Sequence, residues 1–149
     1  MQKFQVCDRF LPYRLSVLSN TISAAIASQY AERFALSVTE WRVLAILGRY
    51  PEISANEVAE HAAMDKVAVS RAVARLFTAG RLTRATDKND RRRSMLRLSA
   101  KGQKVYDQVA PLAKRHEDLL LAHLTPDERV WLDRIIDKLS LIEAQHLAD

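Results

Sequence analysis

Residues 64–104 contain an order of local patterns that few folds can accommodate: a short helix, a glycine turn, and two strands joined by a charged loop. Asp65 suits the N-cap of the helix, and Gly80 suits a left-handed cap at its end. Strands are predicted over 82–86 and 94–98, because turn residues and charges separate them. The predicted apolar face of the helix consists of Val69, Ala72, Val73 and Leu76. The segment therefore predicts a helix that is followed directly by a β-hairpin.

Two capping boxes predict the helices that come before this segment. Ser37 is followed three residues later by Glu40. Ser54 is followed at the same distance by Glu57. In this spacing the hydroxyl accepts an orphan backbone N–H and the carboxylate returns the bond. The first box predicts a helix over 39–50, and the second predicts a short helix that forms a helix-turn-helix with the helix after it. The side chains predicted to face the core are Trp41, Leu44, Ala45, Leu47, Val58 and Ala62.

Long apolar stripes at helical spacing flank this region on both sides. They predict helices over about 6–30, over about 100–123 with Ser99 as N-cap, and after Thr125. The predicted stripes consist of Phe10, Tyr13, Val17, Thr21, Ala24 and Ala25, of Val105, Val109, Leu112, Leu119 and Leu120, and of Trp131, Ile135, Leu139 and Ile142. With three glycines, four prolines and no low-complexity linker, residues 1–149 are expected to form a single, mainly α-helical domain with a small β-hairpin. A twofold partner can bury such long stripes more easily than one small globule can.

Positive charge is concentrated in residues 64–104, which we call the basic block. It holds twelve Lys or Arg and three Asp, a net charge of +9, whereas the whole chain has a net charge of +5. The remaining residues therefore have a net charge of −4. Clustered Lys and Arg favour a polyanionic partner, because binding releases the counterions of the phosphates. The alternative is a solvated basic face without a partner.

The helix face opposite the apolar stripe of the basic block suits the major groove of double-stranded DNA. Recognition helices contact base edges near their N-terminus, where arginine can pair bidentately with guanine and an aliphatic side chain can meet a thymine methyl. The candidate DNA-binding residues of this face are Lys66, Val67, Ser70, Arg71 and Arg75. The alternative for Arg71 and Arg75 is contact with phosphates alone.

The loop between the two predicted strands collects basic residues around one acid. A narrow, A·T-rich minor groove has an enhanced negative potential that attracts an inserted arginine. The candidate DNA-binding residues of this loop are Lys88, Arg91, Arg92 and Arg93. Asp90 can hold a neighbouring arginine in an extended orientation, so it is predicted to support this loop rather than to contact DNA.

Nearly the whole chain resembles the MarR family of winged-helix transcriptional regulators. The resemblance rests on the order of elements and on a wing pattern, Asp-x-Arg followed by Leu-x-Leu-Ser and a glycine. This pattern consists here of Asp90, Arg92, Leu96, Leu98, Ser99 and Gly102. The resemblance implies a winged helix-turn-helix over 36–99 and dimerisation helices over 1–35 and 100–149. It also implies that Arg92 is the minor-groove arginine and that Asp90 supports it.

The resemblance further implies a small-molecule effector, often an aromatic carboxylate, in a crevice between the dimer helices and the winged domain. An arginine beside aromatic walls can hold a carboxylate by charge-assisted hydrogen bonds. The candidate ligand-binding residues are Tyr13, Arg14, Trp41 and Arg42. The alternatives are core or dimer packing for Trp41 and an ordinary surface or ion-pair role for Arg14.

Other chemistry-bearing residues are few. Cys7 is the single cysteine, so no disulfide or thiolate zinc site can form within one chain, and a reducing cytoplasm is the expected location. The four histidines lack a metal-ligand spacing, and no phosphate loop or GxSxG pattern occurs, so no metal, cofactor or enzyme activity is expected. No signal peptide or apolar stretch of spanning length is found, so no membrane partner is expected.

These features together predict a homodimeric regulator that binds specific double-stranded DNA sequences and acts as a repressor released by a small molecule, such as an aromatic acid. Two alternatives stay open. Some members of the family sense peroxides through a thiol near the N-terminus, so Cys7 can make the chain a redox-sensing regulator, although an unreactive thiol fits its surroundings. An architectural nucleic-acid-binding protein would instead bind unrelated duplexes with similar affinity and respond to no ligand.

Overall fold

The structure is a computed structural model that describes residues 9–86, 88–90 and 94–148. Its elements are α1 (Leu11–Ala27), α2 (Ala31–Phe34), α3 (Val38–Arg49), α4 (Ala55–Ala62), α5 (Lys66–Thr78), β1 (Leu82–Thr86), β2 (Ser94–Leu98), α6 (Ala100–Leu121) and α7 (Pro126–His146). The predicted fold class, mainly α-helical with a small β-hairpin, is confirmed. The chain divides into two compact units, of which the first ends at Leu112 and the second begins at Ala113. Cys7, Arg91, Arg92 and Arg93 lie outside the described residues.

The core of the first unit is formed by α3, α4, α5, the hairpin and the beginning of α6. All four residues of the predicted apolar face of α5 are buried, and so are Leu44, Leu47 and Val58. Trp41, Ala45 and Ala62 are partly buried. Val43 is also buried, although its position was not among those predicted to face inward. Helical periodicity therefore identified most of the core. The reason is that each short helix turns its apolar face toward the core and its polar face toward solvent.

Side-chain caps begin most of these helices. The predicted box at Ser54 is complete: its hydroxyl accepts the Glu57 N–H at 3.2 Å, and the Glu57 carboxylate accepts the Ser54 N–H at 2.7 Å. Thr125 forms the same reciprocal pair at the start of α7. At Ser37 the predicted box is wrong in its second half, because the Glu40 carboxylate accepts the Ser37 hydroxyl at 3.0 Å and not the backbone N–H. The Glu40 side chain is drawn toward a cation on α5, as described below.

The first helix ends earlier than predicted. α1 stops at Ala27, and the separate short helix α2 follows instead of a continuous helix to Tyr30. Ala35 after α2 has a left-handed φ of 48°, which reverses the chain. Tyr30 and Leu36 are 1% and 2% exposed, so the break brings both side chains into the core. The break between α1 and α2 is stabilised by burial against distant parts of the chain, so the spacing of apolar residues along the sequence does not indicate it.

The hairpin, which we call the wing (82–98), has the predicted strand bounds. Leu82 is paired with Leu98 and Thr86 with Ser94 in an antiparallel register. A third segment, which sequence patterns did not predict, joins its edge: the Leu96 N–H donates to the Ile53 carbonyl at 2.8 Å. This bond fixes the base of the wing against the segment between α3 and α4.

Gly80 and Ser99 connect the wing to the helices on either side. Gly80 has a φ of 72°, and the next N–H, that of Arg81, donates back to Leu76 at 2.8 Å, which is the Schellman closure of α5. The Ser99 hydroxyl accepts the Gly102 N–H at 3.0 Å and donates to the Gly80 carbonyl at 2.6 Å. The end of α5 and the beginning of α6 are therefore linked directly.

The second unit contains the end of α6 and all of α7. Leu119 and Leu120, predicted to be buried, are 61% and 41% exposed. For a single chain the prediction is therefore wrong. The buried side chains of α6, which include Val105 and Val109, all belong to the first unit. The predicted stripe of α7 is exposed throughout, at Trp131, Ile135, Leu139 and Ile142.

Candidate nucleic-acid interface

The predicted major-groove residues of α5 lie together on its exposed face. Asp65 caps the helix by accepting the Ala68 N–H at 2.9 Å. Because the opposite face of α5 is buried, the orientation of the helix about its own axis is set by the core. Val67 is 56% exposed. The other residues exposed on this face are Lys66, Ser70, Arg71 and Arg75. A rigid helix thus presents cations, a hydroxyl and an aliphatic side chain on one surface.

Arg75 differs from the other residues of this face because it has an acidic neighbour. Its Nη1 lies 4.0 Å from Oε1 of Glu40, and Glu40 is only 7% exposed. The same carboxylate oxygen accepts the Ser37 hydroxyl. Arg75 itself is largely exposed, so the ion pair is weakened by solvent and can give way to a phosphate. Nothing in the sequence indicated that Glu40 lies beside Arg75, because its spacing from Ser37 already suggested a role as a capping residue of α3.

Besides Arg75, three cations of the basic block have partners among the described residues. The Arg81 guanidinium is buried and donates to the Phe34 carbonyl. Arg97 forms an ion pair with Glu52. Arg84 lies 4.5 Å above the centre of the Phe77 ring. A count of charges along the sequence identifies none of these contacts, and of the three residues only Arg81 is buried.

The predicted wing-tip contacts are only partly within the described residues. Lys88, Asn89 and Asp90 are exposed. Arg91, Arg92 and Arg93 lie outside the described residues, so their part in minor-groove binding and the support by Asp90 stay predictions. The wing base is fixed by the Ile53 bond and by the pair between Glu52 and Arg97.

The four predicted ligand-binding residues form two separate pairs within one chain. Trp41 lies between Tyr30 and Tyr106, with ring centres 6.0 and 5.9 Å away. Arg42 Nη2 donates to the Ser23 hydroxyl of α1 at 2.9 Å. Burial raises the pKa of the Tyr30 phenol, and the positive charge of Arg42 opposes this shift. Trp41 thus belongs to an aromatic cluster with Tyr30 and Tyr106, while Arg42 joins α3 to α1.

Tyr13 and Arg14 are exposed near the beginning of α1. About ten residues of helix separate them from Ser23, a rise of roughly 15 Å. One chain therefore does not bring Tyr13 and Arg14 to Trp41 and Arg42. The role of all four in ligand binding stays a prediction.

The described residues also bear on other kinds of site. Within 9–86, 88–90 and 94–148 no group of His, Cys, Asp and Glu is arranged to hold a metal ion. In the described part of the chain, no helix is both long enough and apolar enough to cross a membrane. A cleft of about 570 Å³ lies at the base of the wing, lined in part by Leu47, Ile53, Arg97 and Leu98. Sequence patterns could not predict it, because three separate segments build its walls.

Comparison with known proteins gives a consistent family. Residues 36–93 match the sequence model of the MarR family. The HTH-type transcriptional regulator BilQ of Clostridium symbiosum is 28% identical over 101 residues, 68% of this chain and 70% of that protein. An HTH-type transcriptional repressor of Mycobacterium bovis is 26% identical over 131 residues, 87% of this chain and 91% of that protein.

Solved structures agree over nearly the whole chain. A MarR/EmrR family transcriptional regulator from Acinetobacter sp. ADP1 has a TM-score of 0.84 at 25% identity, covering 95% of this chain and 99% of that one. BpsR of Bordetella bronchiseptica, a protein whose DNA binding is regulated by 6-hydroxynicotinic acid, has a TM-score of 0.78 at 21% identity. The match covers 93% of this chain and 98% of that one. A mutant MarR from E. coli complexed with operator DNA has a TM-score of 0.76 at 21% identity, covering 92% and 99%.

The resemblance predicted from the wing pattern and the order of elements is thereby confirmed. The matched residues 36–93 include α3, α4, α5 and most of the wing, which are the elements that carry the exposed basic face. The chain is similar to the MarR family of winged-helix, DNA-binding transcriptional regulators, through residues 36–93 in the family model and over most of its length in the solved structures.

Proposed function

We propose that this regulator is a homodimer that represses transcription from a palindromic operator and leaves the DNA when a small aromatic acid binds. The observation that carries the DNA-binding part is the exposed face of α5, whose cations project from a helix held by four buried side chains. Lys66, Val67, Ser70 and Arg71 would read base edges in the major groove. Arg75 and Lys88 would neutralise phosphates, and the wing-tip arginines would enter the minor groove.

Exposed apolar side chains on the flanking helices support the homodimer. Single exposed hydrophobic residues are common, but many of them on the same helix mark an interaction site. The exposed large hydrophobic residues of α1 and α7 include Leu11, Tyr13, Leu15, Val17, Leu18, Val130, Trp131, Leu132, Ile135, Ile136, Leu139 and Ile142. A twofold axis would bury these faces against their own copies and place two α5 helices on half-sites about one helical turn apart.

Substitution of Ile135 by aspartate tests the dimer. We expect the variant to be mainly monomeric in size-exclusion chromatography with light scattering, because an unpaired carboxylate would be buried in an apolar interface. The matched control is Ala144→Asp, which adds the same charge nine residues later, on the opposite side of α7. A wild-type chain that is monomeric, or an Ile135→Asp variant that stays dimeric like the control, contradicts the proposed interface.

The proposed effector is an aromatic acid because cations and aromatic rings occur together near the flanking helices. Trp41 and Arg42 contact α1 and its continuation, and Tyr13 and Arg14 lie farther along α1. A partner chain would have to bring the two pairs closer. An acid that prefers a spacing of the two α5 helices unsuited to DNA would lower operator affinity, and DNA would lower the affinity for the acid by the same factor.

Selection of bound sequences from a random duplex pool, repeated with a panel of aromatic acids, tests the function. We expect a palindromic site whose enrichment is lost on addition of one compound. An Arg14→Gln variant should select the same site and lose the response to the acid. Equal retention of unrelated duplexes would favour an architectural protein, and release by peroxide that Cys7→Ser abolishes would favour redox sensing.

A further inference from the structure

Arg81 is a buried cation at the end of the recognition helix. The residue is 8% exposed, and its Nη2 donates to the backbone carbonyl of Phe34. Its Nε is buried and has no hydrogen-bond partner among the described residues. A guanidinium is usually buried beside a carboxylate, whereas the acceptor used here is a neutral carbonyl. Burial of a charge beside a neutral acceptor is costly, so stability alone does not account for an arginine at this position.

The backbone of Arg81 is held on both sides. Its N–H donates to Leu76 at 2.8 Å and closes α5, while its carbonyl accepts the Ser99 N–H at 3.0 Å. α6 packs so closely that a β-carbon at Gly102 would overlap the Arg81 carbonyl oxygen. The backbone that carries the guanidinium is therefore fixed between the end of α5 and the beginning of α6.

The acceptor, Phe34, belongs to a different part of the first unit. It is the last residue of α2, which follows α1 and precedes the left-handed turn at Ala35. We call α1 and α2 the arm (11–34). The hydrogen bond from Arg81 spans 47 residues of sequence and joins the arm to the C-terminus of the recognition helix. A second link between the arm and the DNA-binding elements is the bond from Arg42 to Ser23.

We propose that Arg81 is a positioning residue that sets the angle between the arm and α5, and thereby the half-site separation that a dimer recognises. The proposal rests on the homodimer of the proposed function, since one chain has no half-site separation to select. Arg81 contacts no DNA in this arrangement, because its side chain lies inside the first unit. Its effect on DNA binding is carried by the orientation of α5.

The test compares Arg81→Met and Arg81→Lys with the wild type. Operators are made in which the two half-sites are moved closer or farther by single base pairs, and affinity is measured at several salt concentrations. We expect Arg81→Met to bind the best wild-type operator about tenfold more weakly and to discriminate less among separations, with an unchanged dependence on salt because no phosphate contact is lost. Arg81→Lys should keep the wild-type optimum, because its ammonium can still donate to the Phe34 carbonyl.

Urea unfolding separates positioning from a merely structural role. Methionine fills a similar apolar volume without a buried charge, so we expect the midpoint for Arg81→Met to equal or exceed that of the wild type. An Arg81→Met variant that keeps the wild-type optimum and affinity overturns this proposal alone. A loss of affinity that matches a loss of folded protein overturns it as well, and so does an Arg81→Lys variant that behaves like Arg81→Met. A wild-type protein with no preferred separation overturns both this proposal and the dimeric operator.

Discussion

Replacing Arg71 with alanine is expected to weaken binding to the selected operator by about 10- to 100-fold, because a bidentate arginine–guanine pair contributes roughly 1–3 kcal/mol of discrimination. Arg71 is exposed, while its neighbour Ala72 is buried in the core face of α5. Truncation therefore removes the proposed DNA contact and leaves the packing of the helix unchanged. The loss should be large for the selected operator and small for unrelated duplexes.

Fluorescence anisotropy at one fixed salt concentration measures this effect on the operator, on single base-pair variants of it and on unrelated DNA. The matched control is Arg115→Ala, which removes an exposed cation from α6. We expect the control to change affinity by less than about threefold, since an exposed charge that is not proposed to contact DNA acts only through an interaction that salt screens. An equal loss on every duplex would assign Arg71 to phosphates, and no loss at all would remove it from the DNA-binding surface.

Replacing Gly102 with alanine is expected to lower the free energy of unfolding by about 1–3 kcal/mol, the usual cost of forcing an extra methyl into a packed site. The sign is informative because glycine to alanine inside a helix ordinarily stabilises by about 1 kcal/mol. Gly102 is buried in α6, and the added methyl would meet a backbone carbonyl, that of Arg81, which cannot rotate away. α6 must therefore shift from the base of the wing.

Urea unfolding followed by circular dichroism measures this change. Lys104→Ala is the control, because it places alanine at an exposed position on the same helix and meets no such contact. We expect its midpoint to lie close to that of the wild type. A Gly102→Ala variant that is as stable as the wild type would mean that α6 does not approach Arg81 as closely as described.

The DNA-binding elements were predictable because their signals are local. Asp65 and Gly80 mark the beginning and end of α5, and turn residues separate two strands whose bounds agree with the prediction. Caps, left-handed glycines and turns depend on hydrogen bonds between residues a few positions apart. A short sequence pattern contains all of these residues and can therefore predict the structure. The exposed face of α5 follows directly once its apolar face is known.

The partners of individual charged residues were not predictable in this way. Arg81 and Arg97 count as cations of the basic block, but the structure pairs them with Phe34 and Glu52. Glu40 has the spacing of a capping box, but its carboxylate lies near Arg75. Each contact joins residues far apart in sequence, so the outcome depends on how helices pack and not on any local propensity.

Local order along the chain was enough to predict the family resemblance, the helix proposed to read DNA and the wing, since short-range hydrogen bonds and helical periodicity specify them. Packing decided which cations remain available to DNA, where α1 ends, and that Tyr13 and Arg14 lie away from Trp41 and Arg42. It also decided that Leu119, Leu120 and the α7 stripe stay uncovered within one chain. The physical reason is that burial and charge pairing depend on distances through space, which the order of residues does not contain.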